Sequence, residues 1–349
     1  MELSFRWYGP KDPVTLSDIR QSNAEFVVTS LHQIPTGEKW KIDPIKKRIN
    51  FINKYNSKFN VNLKWNVVES IPVHNNIKLR NNNFRKLIDN YKDTIANIAK
   101  NKIHTVCYNF MPIVDWTRTQ LDYKLPTDGL ALRFNYIQII IFEKFILKLK
   151  NLEKRYKPKE LDAAKRLYKI MTQKDLNNLK KSVMGGLPAA EKKYSISQFK
   201  KMLISYKDFT DEDLKQNLKE FLKEIIPVAE ENNVKMAIHP DDPPFDLFGI
   251  PRVVSTYEDL NFHMKYSEKL HHLRDSNRWG EEKNDYLFST ISKNKKGKLV
   301  LLQGDSWMEQ VQEIDESLKL FQDFSKKNDI NISCVAYLLS KVKYNFTEG

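Results

Sequence analysis

Short apolar runs recur along the chain, and each gives way to polar or turn residues. "EFVVTSLH" (25–32) leads into "QIPTGE", "NLKWNVVES" (62–70) into "IPVH", "HTVCYNF" (104–110) into "MPIVDW", and "VKMAIHP" (234–240) into "DDPP". The runs are rich in Val, Ile, Thr and aromatic residues, the composition of strands covered on both faces, so they predict buried parallel strands. Between them, apolar residues fall at helical spacing in "DPIKKRINFINKYNSKF" (43–59), "RKLIDNYKDTIANIAKNK" (85–102) and "EDLKQNLKEFLKEIIPVAEENN" (212–233). Strand alternating with helix predicts an α/β fold around a parallel sheet. A charged, helix-rich stretch over 127–225 reads as an insert in that fold. Its most apolar window, "YIQIIIFEKFILKL" (136–149), is interrupted by Glu143 and Lys144 and is too short to span a bilayer, so it reads as a packed helix.

The polar residues that matter gather at one end of the predicted strands. His32, Glu69, His74, Tyr108, Asn109, Asp115, Arg118, His239, Asp241 and Asp242 all fall at or just after strand C-termini. In a (β/α)8 barrel these ends form the one face that hosts chemistry. In an open doubly wound sheet they would gather at a switch point, but no Gly-rich phosphate fingerprint follows any of the strands. The stretch "MAIHPDDPP" (236–244) is the most distinctive. A lone His at a strand end is more often a satisfied core residue than a ligand. Two carboxylates beside it are costly to bury unless a metal or donors compensate, and three prolines stiffen the exit. A mixed nitrogen and oxygen site of this kind suits Mn2+, Fe2+ or Zn2+. Glu69 and His74 are placed for orienting a substrate or for proton transfer. Tyr108, Asn109, Asp115 and Arg118 offer the donors and acceptors that a hydroxylated acid needs, with Arg118 able to hold a carboxylate in a fork. The chain has no Ser nucleophile elbow, no HExxH and no CxxC.

Composition narrows the class further. With 349 residues and 41% hydrophobic content, the chain has ample core for one large domain. Its two cysteines are too few for a disulfide framework or a Cys-based zinc cluster. The N-terminal "MELSFRWYGP" lacks a basic segment followed by an apolar one, so a cytoplasmic protein is expected. The net charge of +14 comes from scattered lysines with no readout module beside them, so neither nucleic acid nor membrane is an expected partner. A basic field of this size would still help recruit an acidic small molecule.

Six stretches together resemble the mannonate dehydratase family. They are "RWYGPKDPVTLSDIRQ", "VVTSLHQIPTGEKW", "WNVVESIPVHNNIK", "TVCYNFMPIVDWTRT", "GLPAAEKKYSISQF" and "MAIHPDDPPFDLFGIPRVVSTYEDL", in that order over roughly residues 1–260. The resemblance implies a single TIM-type (β/α)8 barrel over 1–349, with 127–225 as a helical elaboration and 255–349 as a divergent and incomplete closing part. It implies Mn2+ or Fe2+, and loss of water from D-mannonate to give 2-dehydro-3-deoxy-D-gluconate. The catalytic candidates are then Tyr108, His32 and Glu69. The substrate-binding candidates are Trp7, His74, Asn109, Asp115, Arg118, Asp241 and Asp242. The metal candidates are His239 and His272, the latter in "HHLRDSNRW". The family's Cys-Thr/Ser-Gly-Ser and Arg-Pro-Asp-His-Gly motifs, which carry two more ligands, have no match here, so Asp241, Asp242 or Asp305 would have to replace them. The alternative is an inactive homologue that keeps only sugar-acid or partner binding. A homo-oligomer fits the sequence, which does not fix the oligomeric state.

Overall fold

The computed structural model describes residues 3–125, 129–185, 194–256 and 258–259, and the backbone of 306–308. Five parallel strands pair in chain order: β1 (Ser4–Arg6), β2 (Phe26–Thr29), β3 (Lys64–Glu69), β4 (Thr105–Tyr108) and β7 (Lys235–Ile238). The four apolar runs read from the sequence are β2, β3, β4 and β7. Strand β1 has only three residues and no apolar run of its own. The order never reverses, as it would in a doubly wound sheet. Sequential parallel pairing with helical crossovers is the order of a TIM-type barrel, of which these are the described strands.

Helices α2 (Ile42–Phe59), α4 (Phe84–Ala99) and α9 (Asp211–Glu231) form the outer layer. The apolar stripe of α4 is Leu87, Ile88, Tyr91, Ile95 and Ile98, and that of α9 is Leu214, Leu218, Phe221, Leu222, Ile225 and Ala229. Both stripes join Val27, Trp65, Val68, Val106 and Met236 of the strands in one core. Thr210 opens α9 by capping Asp213, whose carboxylate returns the bond, and three acidic residues in the first turn suit the helix dipole. Strand alternation sends the neighbouring residues to the other face. There Val28, Val67 and Cys107 form a small inner cluster. A register shift between Val27 and Val28 makes Asn66 the extra residue of β3, which returns Val67 and Glu69 to that inner face.

The chain between β4 and α9 is the long connection that sits on the strands' C-terminal side. Short helices α1 (Leu16–Gln21) and α3 (Asn75–Leu79) lie elsewhere, in the loops after β1 and β3. The connection begins with an antiparallel hairpin, β5 (Gln120–Lys124) and β6 (Leu130–Phe134), and the backbone of β8 (Ser306–Met308) pairs parallel with β6. Helices α5 (Tyr136–Ile141), α6 (Pro158–Ile170), α7 (Gln173–Gly185) and α8 (Ile196–Ser205) follow. A π-helical turn at Phe142–Ile146 continues α5, so the apolar window is packed helix as expected. These elements have a second core built from Phe134, Ile139–Phe142, Val183, Phe199 and Tyr206. The insert therefore differs from the predicted 127–225. A strand opens it, and α9 belongs to the barrel layer because its apolar stripe faces β4 and β7. Among the described residues, no helix is long and apolar enough to cross a membrane.

Candidate active site

The inner face of the strands and the loops at their C-terminal ends place most of the predicted site residues together. Arg6 leaves β1 toward the inside and meets Glu69 of β3, with Nη1 and Oε2 2.6 Å apart and both side chains nearly fully buried. Burial alone would lower the Arg6 pKa, but the Glu69 carboxylate outweighs it and the net shift is upward. Among the described residues, the other carboxylate oxygen, Glu69 Oε1, is buried with no hydrogen-bond partner. Tyr8 lies under the Arg6 guanidinium at 4.9 Å and packs on the His32 ring, with centroids 5.6 Å apart. Trp116 closes the other side, its ring 6.0 Å from the same guanidinium.

Trp116 then reaches His239 at the end of β7, the indole Nε1 donating to Nε2 at 3.2 Å. The second ring nitrogen, Nδ1, is 2.6 Å from the Pro240 carbonyl oxygen. A carbonyl only accepts, so Nδ1 carries the proton and Nε2 the lone pair. Asp242 accepts a two-pronged fork from Arg118, at 2.9 and 2.6 Å. Asp241 Oδ2 accepts from the Val254 amide at 2.6 Å and the Ser255 hydroxyl at 3.1 Å. Burial pushes the Asp241 pKa up against Arg252 and these donors. Asn109 donates to Asp115 at 3.2 Å. Thus His32, Glu69, Asn109, Asp115, Arg118, His239, Asp241 and Asp242 share the C-terminal face.

Three predicted residues stand elsewhere. Tyr108 points outward and packs against Phe221 of α9 with centroids 6.2 Å apart, so its hydroxyl lies in the layer between strand and helix. Trp7 follows inward-facing Arg6 and so turns outward into the core, where its ring also stacks on the exposed Phe51. His74 caps α3, its Nδ1 accepting from the Asn76 amide at 3.0 Å. His272 and Asp305 lie outside the described residues, as does most of 255–349. The Arg118 fork, expected to hold a substrate carboxylate, is engaged by Asp242. Arg6, Arg48, Lys78 and Arg252, four buried cations at this end of the strands, are not among the residues the sequence singles out. Arg6 had one available signal, since a strand there would alternate it with Trp7.

Among the described residues no three His, Cys, Asp or Glu side chains converge on a point where an ion would sit. His239 has the tautomer of a metal ligand, with Nδ1–H fixed by a carbonyl, but its lone pair carries the Trp116 N–H. Asp241 Oδ2 is engaged by Val254 and Ser255, and both oxygens of Asp242 by Arg118. The described residues alone therefore do not fit a metal centre.

The face also carries a pH signature. Burial, with Arg6 and Arg48 adding to it, drops the His32 pKa to about 3. The unfolded chain takes up a proton near pH 6.5 that the folded chain refuses. Stability from this residue is thus complete above pH 6.5 and is lost as pH falls toward 3. Urea midpoints are expected to fall between pH 7 and pH 5, and His32→Gln is expected to flatten that fall. A His32 imidazole that titrates by NMR near its ordinary value would contradict this.

The chain matches the family model for D-mannonate dehydratase (UxuA) over residues 1–274. It is 45% identical over 262 residues to the mannonate dehydratase of Marinomonas sp., covering 75% of this chain and 66% of that protein. It is 42% identical over 259 residues to the mannonate dehydratase of Saccharophagus degradans, covering 74% of this chain and 64% of that one. Among solved structures it resembles the mannonate dehydratase of Streptococcus suis serotype 2, with a TM-score of 0.55, 33% identity, and coverage of 76% of this chain and 61% of that one. The chain thus spans about two thirds of the length of the relatives it matches. The match runs through β1 to β7 and the lip after β7 without a break in order, and the chain belongs to the D-mannonate dehydratase family.

Proposed function

We propose that this chain is a hydro-lyase that takes D-mannonate to 2-dehydro-3-deoxy-D-gluconate. The observation that carries the reading is the buried Arg6–Glu69 pair, with a carboxylate oxygen unpartnered among the described residues, in the part of the chain that the family model matches. Dehydration needs a base for the proton on C2 and a proton for the departing C3 hydroxyl. Glu69 Oε1 is the acceptor for the first. His32, held neutral, orients a hydroxyl beside it. Asn109 and Asp115 bind further hydroxyls, and Arg6 pairs with Oε2 and leaves Oε1 to the substrate. The C2–H bond breaks with its proton passing to Glu69 Oε1. The C3–O bond breaks as the protonated Glu69 returns that proton to the departing hydroxyl, which leaves as water. The resulting enol gives up its hydroxyl proton and gains one at C3 to become the keto acid. Mn2+ or Fe2+ is the cofactor this reading carries, and holding it would require His239 to give up the Trp116 N–H and ligands from outside the described residues. A single barrel domain working in the cytoplasm, alone or as a homo-oligomer, completes it.

The test uses the full chain. Purified protein is assayed for metal content and then, with Mn2+ added, for keto-acid formation from D-mannonate. About one metal per chain with keto acid formed is the expected result. Protein that binds mannonate, seen as a raised melting temperature, yet forms no keto acid would replace this reading with that of a sugar-acid-binding homologue.

A further inference from the structure

The loop from Asn109 to Arg118 presents both Trp116 and Arg118, and its backbone is strained. Ile113 has φ +66° and Trp116 φ +45°. A β-branched residue and a bulky aromatic residue both resist the left-handed region, because Cβ crowds the following carbonyl. Such conformations persist where the surroundings over-determine them. Here the restraints come from other parts of the chain. The Lys78 ammonium at the end of α3 donates to the Met111 carbonyl. The Asn75 side chain accepts from the Ile113 amide at 3.1 Å. Arg252 Nη2, from the segment after β7, donates to the Val114 carbonyl at 3.1 Å.

Two of these anchors are costly choices. Lys78 is 3% exposed and Arg252 5% exposed. Buried cations usually turn to carboxylates, whereas these two aim at backbone carbonyls of one short loop. Asp115 and Asp241 are near enough to balance their charge. The outcome is geometric. Trp116 Nε1 stands 3.2 Å from His239 Nε2, and the Arg118 fork closes on Asp242.

We propose that Lys78 and Arg252 are positioning residues, which clamp the strained 109–118 loop and thereby aim Trp116 and Arg118 into the candidate active site. The clamp itself stands on geometry; its effect on ligand affinity rests on the sugar-acid reading above. Both are tested on the full chain labelled with 5-fluorotryptophan, the Trp116 resonance being assigned by Trp116→Phe. Lys78→Met is expected to shift the Trp116 resonance and leave those of Trp7, Trp40 and Trp65 in place. Calorimetry is expected to show D-mannonate bound about tenfold more weakly, the scale of one lost charged hydrogen bond. Lys78→Arg, which keeps a donor at the Met111 carbonyl, is expected to restore both. A Trp116 resonance unmoved by Lys78→Met overturns the clamp. Should Lys78→Met fail to fold, Asn75→Ala removes the Ile113 anchor with both cations kept, and the same resonance decides. Wild-type protein that binds no mannonate removes the sugar-acid reading, while the Trp116 resonance still decides the clamp.

Discussion

Replacing Arg118 with methionine is expected to cost about 3–5 kcal/mol of folding stability, the usual penalty for breaking a buried ion pair from one side. Arg118 is 1% exposed and the Asp242 side chain 14% exposed, so water does little to replace the lost partner. The fork fixes two oxygens at once, at 2.9 and 2.6 Å, and it joins the loop after β4 to the lip after β7. Arg118→Lys is therefore expected to recover little, since an ammonium cannot supply two parallel bonds from one plane. Arg118→Met/Asp242→Leu should be less destabilised than the sum of its single variants, because it leaves no carboxylate stranded. Urea unfolding of the four proteins measures all of this. An Arg118→Met chain within about 1 kcal/mol of wild type would show that the fork is weak.

Much of this arrangement was readable from the chain. The strand and helix periods are strong over β2 to β4, β7, α2, α4 and α9, because each buries an apolar face and must show it in the sequence. Which face a strand residue takes was less readable. A strand covered on both sides has apolar residues at odd and even positions alike, so "HTVCYNF" gives no sign that Tyr108 turns toward Phe221 while Cys107 turns inward. Trp7 was misplaced for a similar reason, since three residues of β1 carry too little pattern to show a phase. The hairpin β5–β6 was missed because its residues are mostly half-buried or exposed and form no apolar run. His74 falls beside a helix start too short for periodicity to reveal, where its imidazole caps.

The lip after β7 shows a different limit. Asp241 and Asp242 do need compensation, and the sequence makes that plain. What compensates them does not follow from neighbours in the chain: Arg118 is 124 residues away from Asp242, and the Val254 amide 13 from Asp241. Metal and protein donors answer the same electrostatic demand, so a carboxylate-rich lip points to both equally. Only the fold separates them. In the described residues it is protein donors that meet the two carboxylates and a tryptophan N–H that meets His239.

Glu69→Gln is expected to lower turnover of D-mannonate by about 10²- to 10⁴-fold, the range for losing a general base, with a much smaller change in KM. The substitution keeps the shape of the side chain and removes its negative charge. The argument begins with the unpartnered Glu69 Oε1. A carboxylate kept only to neutralise Arg6 would gain by bonding both oxygens, since a buried acceptor without a donor costs about 1–3 kcal/mol. Instead, among the described residues, Arg6 engages Oε2 alone, and its own Nε is likewise buried without a partner. Stability by itself does not account for that geometry, whereas an oxygen held ready for a substrate proton does. Glu69→Gln also leaves the Arg6 charge buried without its counter-ion, so the chain should unfold at lower urea. The two effects separate cleanly. Arg6→Met breaks the same pair from the other side and should destabilise the chain comparably, about 3–5 kcal/mol, yet it spares the base. If Glu69 only supports the fold, the two variants should lose turnover in proportion to their lost stability. If Glu69 takes the C2 proton, the glutamine variant should be far slower than its stability predicts, at every pH where the protein is folded. Steady-state kinetics and urea midpoints on the two variants decide, and turnover of Glu69→Gln within about threefold of wild type would remove Glu69 from the chemistry.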